Sequence, residues 1–195
     1  LSLIDENPVP VPGSEGQKGP WGVILADPPW NERGGGKNKR GADRHYPLLK
    51  TPDIIKVMEG SGAFCTVARH AHMYLWVTNN YLTDGLLVME HFGFRYITNV
   101  CWVKQSAGLG QYFRGQHEIM LFGVRGKGYE ACKNNSSLST VIYAPRREHS
   151  RKPEESYRLI ESRSKGPYIE LFARRPRTGW RVWGNEIETG VDHEL

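Results

Sequence analysis

Cysteine is scarce in this chain. Cys65, Cys101 and Cys132 are an odd number with no CxxC pair, which argues against a disulfide framework and a cysteine zinc site and favours a reducing, intracellular setting. Long hydrophobic runs are also missing, since none approaches the roughly 18 residues of a membrane span. The opening LSLIDENPVPVPGSEGQKGP has neither the basic nor the apolar segment of a secretory signal peptide, so secretion is not expected. GGGKNKRG at 34–41 cannot be laid on the GxxxxGK[ST] phosphate loop, and no GxSxG elbow occurs. His70 and His72 stand two apart with no third ligand in view, so no metal is expected.

What is present describes an ordinary globular protein with a basic balance. The 195 residues suffice for one domain with a substantial core. The composition is 38% hydrophobic and 24% charged, with a formal net charge of +5. That excess suits a polyanionic partner, with a merely solvated basic surface as the competing reading. Residues 1–20 read as an extended Pro- and Gly-rich arm, 21–188 as a single domain and 189–195 as a tail.

Apolar patterning divides the domain into alternating elements. WGVILAD (21–27) is a short apolar run ending at a turn signal, hence a buried strand. TPDIIKVME (51–59) has helix-start features: Thr51 as a cap, Pro52 at the first helical position and Asp53 at the positive end of the dipole. HMYLWVT (72–78) predicts a strand, NYLTDGLLVMEHFG (80–93) a helix stopped by Gly93, and FRYITNVCWVK (94–104) a strand. HEIMLFGVRG (117–126) and TVIYAP (140–145) predict two more strands. PEESYRLIES (153–162) predicts a helix with Pro153 in its first turn, before strands YIELFAR (168–174) and WRVWGNE (180–186). Strands alternating with helices imply an α/β sandwich on a mostly parallel sheet.

The stretch ILADPPW concentrates chemistry at one strand end. In open α/β sheets, ligands bind at the carboxyl ends of strands. Asp27 offers acceptor sites only, matching a group with N–H donors. Pro28 and Pro29 stiffen the backbone and remove two donors, which leaves carbonyls bare as further acceptors. Trp30 adds a flat face on which a base can stack. These residues describe a cradle for an aromatic ring bearing an exocyclic amine. On the tetrapeptide alone, a rigid loop with a packed tryptophan is the alternative.

ADPPW resembles the catalytic motif [DNS]-P-P-[YFW] of the amino-methyltransferases. The chain is similar to the adenine-N6 methyltransferases of the MT-A type, a family that includes the writers of N6-methyladenosine in messenger RNA. The likeness runs in order through HYPLLKTPDI, MYLWVTN, WVK, QHEIMLFGVRGKG, REHSRKPEESYRLIE, IELFARRPRTGW and WGNE, and the later blocks look most like bacterial and phage members. It implies a Rossmann-like fold with helices on both sheet faces and a permuted motif order, the catalytic strand first and the cofactor strand last. It also implies S-adenosylmethionine as cofactor and a prokaryotic or phage-infected cytoplasm.

The same resemblance assigns roles. Asp27, Pro28, Pro29 and Trp30 match the catalytic motif, with Asp27 binding the target amine near the methionine part of the cofactor. Lys152 matches a lysine that holds the cofactor carboxylate, and Glu170 a ribose-binding acid. Ser150, Phe172, Arg174, Asn185 and Glu186 match further cofactor contacts. On the substrate side stand His45, Tyr46 and Glu118. Tyr112, Phe113 and Arg114 are placed to meet bases or phosphate, and Lys37, Lys39 and Arg40 form a basic loop suited to phosphates. Taken without the family, Lys152 is a solvated helix-start residue, Glu118 an exposed strand-end acid, and Tyr112 and Phe113 an aromatic cover.

The expected partner is nucleic acid, DNA ahead of RNA, with a homodimer or a second subunit aiding recognition. Only the short loops 31–45, 105–116 and 126–139 are available for target recognition, so relaxed or very short sequence preference is expected. An RNA methyltransferase, a non-catalytic nucleic-acid-binding subunit and methylation of cytosine or glutamine amines are the alternatives. The acid and aromatic of the motif are both intact, which speaks against a non-catalytic subunit.

Overall fold

The computed structural model describes residues 19–31, 48–108, 112–134, 137–146 and 151–184. Seven strands form one sheet: β1 (Trp21–Ala26), β2 (Val67–Val77), β3 (Arg95–Val103), β4 (His117–Arg125), β5 (Val141–Tyr143), β6 (Tyr168–Leu171) and β7 (Trp180–Trp183). Three α-helices accompany them: α1 (Thr51–Gly60), α2 (Leu82–His91) and α3 (Glu154–Arg163). The strand order is β5-β3-β4-β2-β1-β6-β7. The pairs β1–β2, β1–β6, β6–β7 and β3–β5 are parallel, while β4 runs antiparallel to both of its neighbours.

Every residue of β1 is buried, because successive side chains enter two different cores. Ile24 and Ala26 join Ile54 and Met58 of α1 and Val88 and Met89 of α2 on one face. Val23 and Leu25 join Ile160 of α3, Tyr74, Trp76, Trp180 and Val182 on the other. Helices therefore cover both faces, as the resemblance implies. The chain leaves β1 towards β2 on one side, and β6 returns on the other. The carboxyl end of β1 is thus a topological switch point, where a crevice opens.

Local differences from the sequence reading have simple causes. β2 starts at Val67, five residues before His72. Exposed Arg69 interrupts the apolar run there, and the β1–β2 register shifts between Val67 and His72. Lys50, not Thr51, is the N-cap of α1, and the Thr51 hydroxyl donates instead to Asp84 Oδ1 at 2.5 Å, tying α1 to α2. Pro153 is the N-cap of α3 and lies outside its first turn. Gly93, one residue past the Phe92 C-cap of α2, has φ +75°, the left-handed conformation expected of a helix stop.

Gly85 lets α2 lie close on the sheet. A Cβ there would lie 2.4 Å from Cγ1 of Val77 and 2.9 Å from Cδ1 of Leu121. Alanine is the better helix former by about 1 kcal/mol, yet overpacking of this kind costs about 1–3 kcal/mol. Gly85→Ala is therefore expected to lower the thermal unfolding midpoint; a rise would show that the helix can back away freely.

Candidate active site

Asp27 follows β1 at the switch point, on the side of the sheet that α3 covers. Lys152, just before α3, reaches it from above: Nζ lies 2.8 Å from Asp27 Oδ1 and 3.3 Å from Glu118 Oε2. Glu118 arrives from the second position of β4, which is antiparallel and so begins at the edge where β1 and β2 end. Lys104, one residue past β3, pairs with the other oxygen of Glu118. The two ammonium groups sit over indole rings, Lys152 5.4 Å from the centroid of Trp76 and Lys104 4.9 Å from that of Trp102.

Electrostatics follow from this packing. Burial pushes the Glu118 carboxyl up, but Lys152 and Lys104 overcome that and bring it down to about 2. Burial works against the Lys152 charge, and Asp27 and Glu118 reverse the effect, raising it above the ordinary lysine value. Both groups therefore stay ionised across the usual pH range. One nitrogen shared by two carboxylates is what this part of the site can hold.

A second acid lies deeper. Glu170, on β6 beside Leu25 of β1, is 8% exposed. Its Oε1 accepts from the Tyr157 hydroxyl of α3 at 2.8 Å. Burial, followed by the charge of Asp27, pushes its carboxyl up to about 7 although the Tyr157 bond opposes the shift. Phe172, next on the same edge, has φ +61° and packs edge-on against Trp183. That conformation is strained for an aromatic residue. Nearby, Nε1 of Trp76 and Oγ1 of Thr78 are buried with no hydrogen-bond partner among the described residues.

The DPPW turn differs from the sequence expectation in two ways. Trp30 is 5% exposed, stacks on Tyr81 at 5.4 Å and donates from Nε1 to Trp76 O at 2.8 Å. The ring is a packed pillar here, not an open stacking face. The proline carbonyls are not bare either: Pro28 O accepts from Trp30 N and Pro29 O from Leu49 N. The prolines set the direction of the chain, and Trp30 locks it to β2.

Asp27, Lys152, Glu118 and Glu170 are brought to one edge, and Arg174 follows on the chain leaving β6. Tyr112 and Phe113 are 97% and 89% exposed, and Arg114 is exposed beside them on the connection into β4. Lys37, Lys39, Arg40, His45, Tyr46, Ser150, Asn185 and Glu186 lie outside the described residues. Sequence reading missed the roles of Lys104 and Tyr157. Lys104 ends the quoted WVK block, and pairing that strand with HEIMLFG as a hairpin would have set it beside Glu118. His72 makes no metal site with His70. Its ring nitrogens meet Ser164 Oγ at 2.7 Å and Gly128 O at 2.8 Å, and burial lowers its pKa.

Comparison with known proteins places these features in a family. The MT-A70 family model matches residues 21–186. A putative N(6)-adenosine-methyltransferase MT-A70-like protein of Medicago truncatula is 30% identical over 181 residues, covering 87% of this chain and 27% of that protein. The Type II methyltransferase M.MunI of a Mycoplasma species is 29% identical over 189 residues, covering 85% of this chain and 77% of that protein. The N6-methyladenosine RNA methyltransferase MTA1 of Pyricularia oryzae is 28% identical over 183 residues, 85% of this chain and 46% of its own length. The chain spans only about a quarter of the length of the plant relatives it matches.

Glu170 gives a pH test. Its folded-state pKa of about 7 stands above the ordinary 4.5, so between those values the folded chain holds a proton that the unfolded chain has released. Stability therefore falls as pH rises through that window and stays low above it. Glu170→Gln should be more stable than the parent near pH 8, by an amount of order 3 kcal/mol, and nearly equal to it near pH 4.5. Thermal unfolding across pH measures this, and parallel curves for the two proteins would contradict it.

Proposed function

The chain belongs to the MT-A70 family, and from that premise we propose that it transfers a methyl group from S-adenosylmethionine to the exocyclic N6 amine of adenine in nucleic acid, in one catalytic domain over residues 21–188. The observation that carries this reading is the nitrogen of Lys152 held between Asp27 and Glu118. Two acceptors spaced to share one nitrogen suit an amine with two N–H donors.

The residues present fit the cofactor. Lys152 offers a buried ammonium for its carboxylate. Glu170, positioned by Tyr157, offers an acceptor for ribose hydroxyls. The buried indole N–H of Trp76, unmatched among the described residues, offers a further donor. Such a cofactor supplies, when bound, a methyl group on a positively charged sulfur.

The protein's own work falls on the amine. Its lone pair is delocalised into the adenine ring, so it is a poor nucleophile. Asp27 accepts from one N–H and Glu118 from the other, which draws the nitrogen towards tetrahedral geometry. Both bonds strengthen as positive charge develops there, so they favour the transition state over the ground state. The methylated ammonium is strongly acidic and needs no strong base. A base within a duplex must first leave the stack, at a cost of a few kcal/mol. Exposed Tyr112, Phe113 and Arg114 provide stacking and phosphate contacts on the way in.

DNA is proposed ahead of RNA. The downstream blocks look most like bacterial and phage members, and the match covers most of M.MunI but under half of MTA1. RNA is the second reading, favoured by the name of MTA1. A second copy or a separate subunit would supplement the short recognition loops.

Methyl transfer to matched DNA and RNA oligonucleotides, followed by nucleoside mass spectrometry, tests base and sugar together. The expected product is N6-methyldeoxyadenosine. Asp27→Ala should lower the rate by about 100-fold or more while leaving the thermal unfolding midpoint nearly unchanged. Undiminished transfer by that variant would sink the assignment.

A further inference from the structure

Lys104 has no place in the reaction as described so far, yet the fold invests in its position. Its N–H donates to Gln116 O at 2.8 Å, and Gln116 Nε2 donates back to Lys104 O at 3.0 Å. That rung extends the β3–β4 ladder by one step beyond Val103 and His117. Lys104 then stands diagonally across from Glu118, and both side chains leave the face that carries Trp102 and Met120. The ammonium is 12% exposed and lies against the Trp102 ring. Loss of water on this scale is costly for a lysine without a fixed partner, and Glu118 is that partner.

The two lysines serve Glu118 differently. Lys152 is shared, and it lies closer to Asp27 than to Glu118. Lys104 pairs with Glu118 alone among the described residues. Lys152 is also the group suited to a carboxylate on the cofactor, which would draw it away from Glu118. Burial would then push the Glu118 carboxyl up. Once protonated, it would carry an O–H donor on one oxygen and leave the target amine only a weaker, neutral carbonyl acceptor.

We propose that Lys104 is a positioning residue: it holds the Glu118 carboxylate in place, charged and facing the target base, when Lys152 is engaged elsewhere, so that the site selects a base edge carrying an N–H donor. This rests on the adenine-N6 reading above. Among the described residues, the charged groups around Glu118 are Lys104 from the end of β3, Lys152 from the approach to α3 and Asp27 from the end of β1 behind Lys152. His117 is its neighbour on β4, with its side chain on the opposite face.

The experiment compares the parent with Lys104→Met, Lys104→Arg and Glu118→Gln. It measures kcat and KM for an adenine-containing oligonucleotide from pH 5.5 to 8.5 at saturating cofactor, and thermal unfolding confirms the fold. For Lys104→Met, kcat/KM should fall about tenfold for each pH unit below the raised Glu118 value, along an acid limb that the parent lacks. Lys104→Arg should restore the parent profile. Glu118→Gln should be slow at every pH, with no acid limb. Should folded Lys104→Met keep the parent's profile, or drop equally at all pH, Lys104 does not hold the charge of Glu118 and the proposal is overturned. Arginine failing to rescue a folded protein overturns it as well. A parent inert towards adenine overturns the adenine reading itself, and the role of Lys104 with it; an active parent with a flat Lys104→Met profile overturns Lys104 alone.

Discussion

A carboxylate that follows a fully buried strand needs a counter-charge, and in this molecule Lys152 supplies it to Asp27. The rest of the site depends on that contact. Lys152 can reach Asp27 only because α3 covers the face of the sheet towards which the Asp27 side chain is directed. Glu118 can share the same ammonium only because β4 runs against its neighbours and so begins where β1 ends. An all-parallel sheet would send the start of that strand to the opposite edge. The reversed strand is therefore a chemical requirement of the site as well as a topological detail.

Where this edge departs from ordinary folding rules, ligand chemistry offers a reason. Glu170 is an acid inside a four-residue buried strand, and its raised pKa means that the folded state is weakened when it ionises. Phe172 takes a left-handed backbone that glycine would adopt more easily. Trp76 keeps a buried indole N–H without an acceptor among the described residues. Each departure alone has a local cost, and all three lie on the face or at the edge that holds Asp27. Such clustering is expected where surrounding packing is used to maintain groups for a partner that the chain itself does not contain.

Much of this was legible in the sequence, for reasons that differ by element. β1, α1, α2 and β4 announced themselves through period, proline placement and glycine stops, all of which are local signals. The start of β2 did not, because exposed Arg69 breaks the apolar run where the β1–β2 register shifts. The DPPW turn was recognised as a site, but the role of its tryptophan was not readable. Whether an indole is open or packed depends on Tyr81, a residue 51 positions away that stacks on it. The proline carbonyls raised the same problem, since their partners, Trp30 and Leu49, are set by the turn itself. Lys104 was hidden for a third reason. A lysine after a strand reads as a solvated end until the antiparallel pairing is known, and that pairing turns it towards Glu118.

The charge arithmetic of the site bears on how a polyanion would approach it. Asp27, Glu118, Lys104 and Lys152 cancel, so these four groups add nothing to the chain's excess of +5. Phosphates would gain little from this neutral cluster, and a base loses less there than in a strongly charged cleft. The long-range attraction must come from charges elsewhere on the chain, Arg114 among them, where salt would screen it. Affinity for the backbone and selection of the base are then separate tasks on separate surfaces. On the proposed function, Tyr112 and Phe113, exposed on the connection into β4, offer rings on which a base would stack.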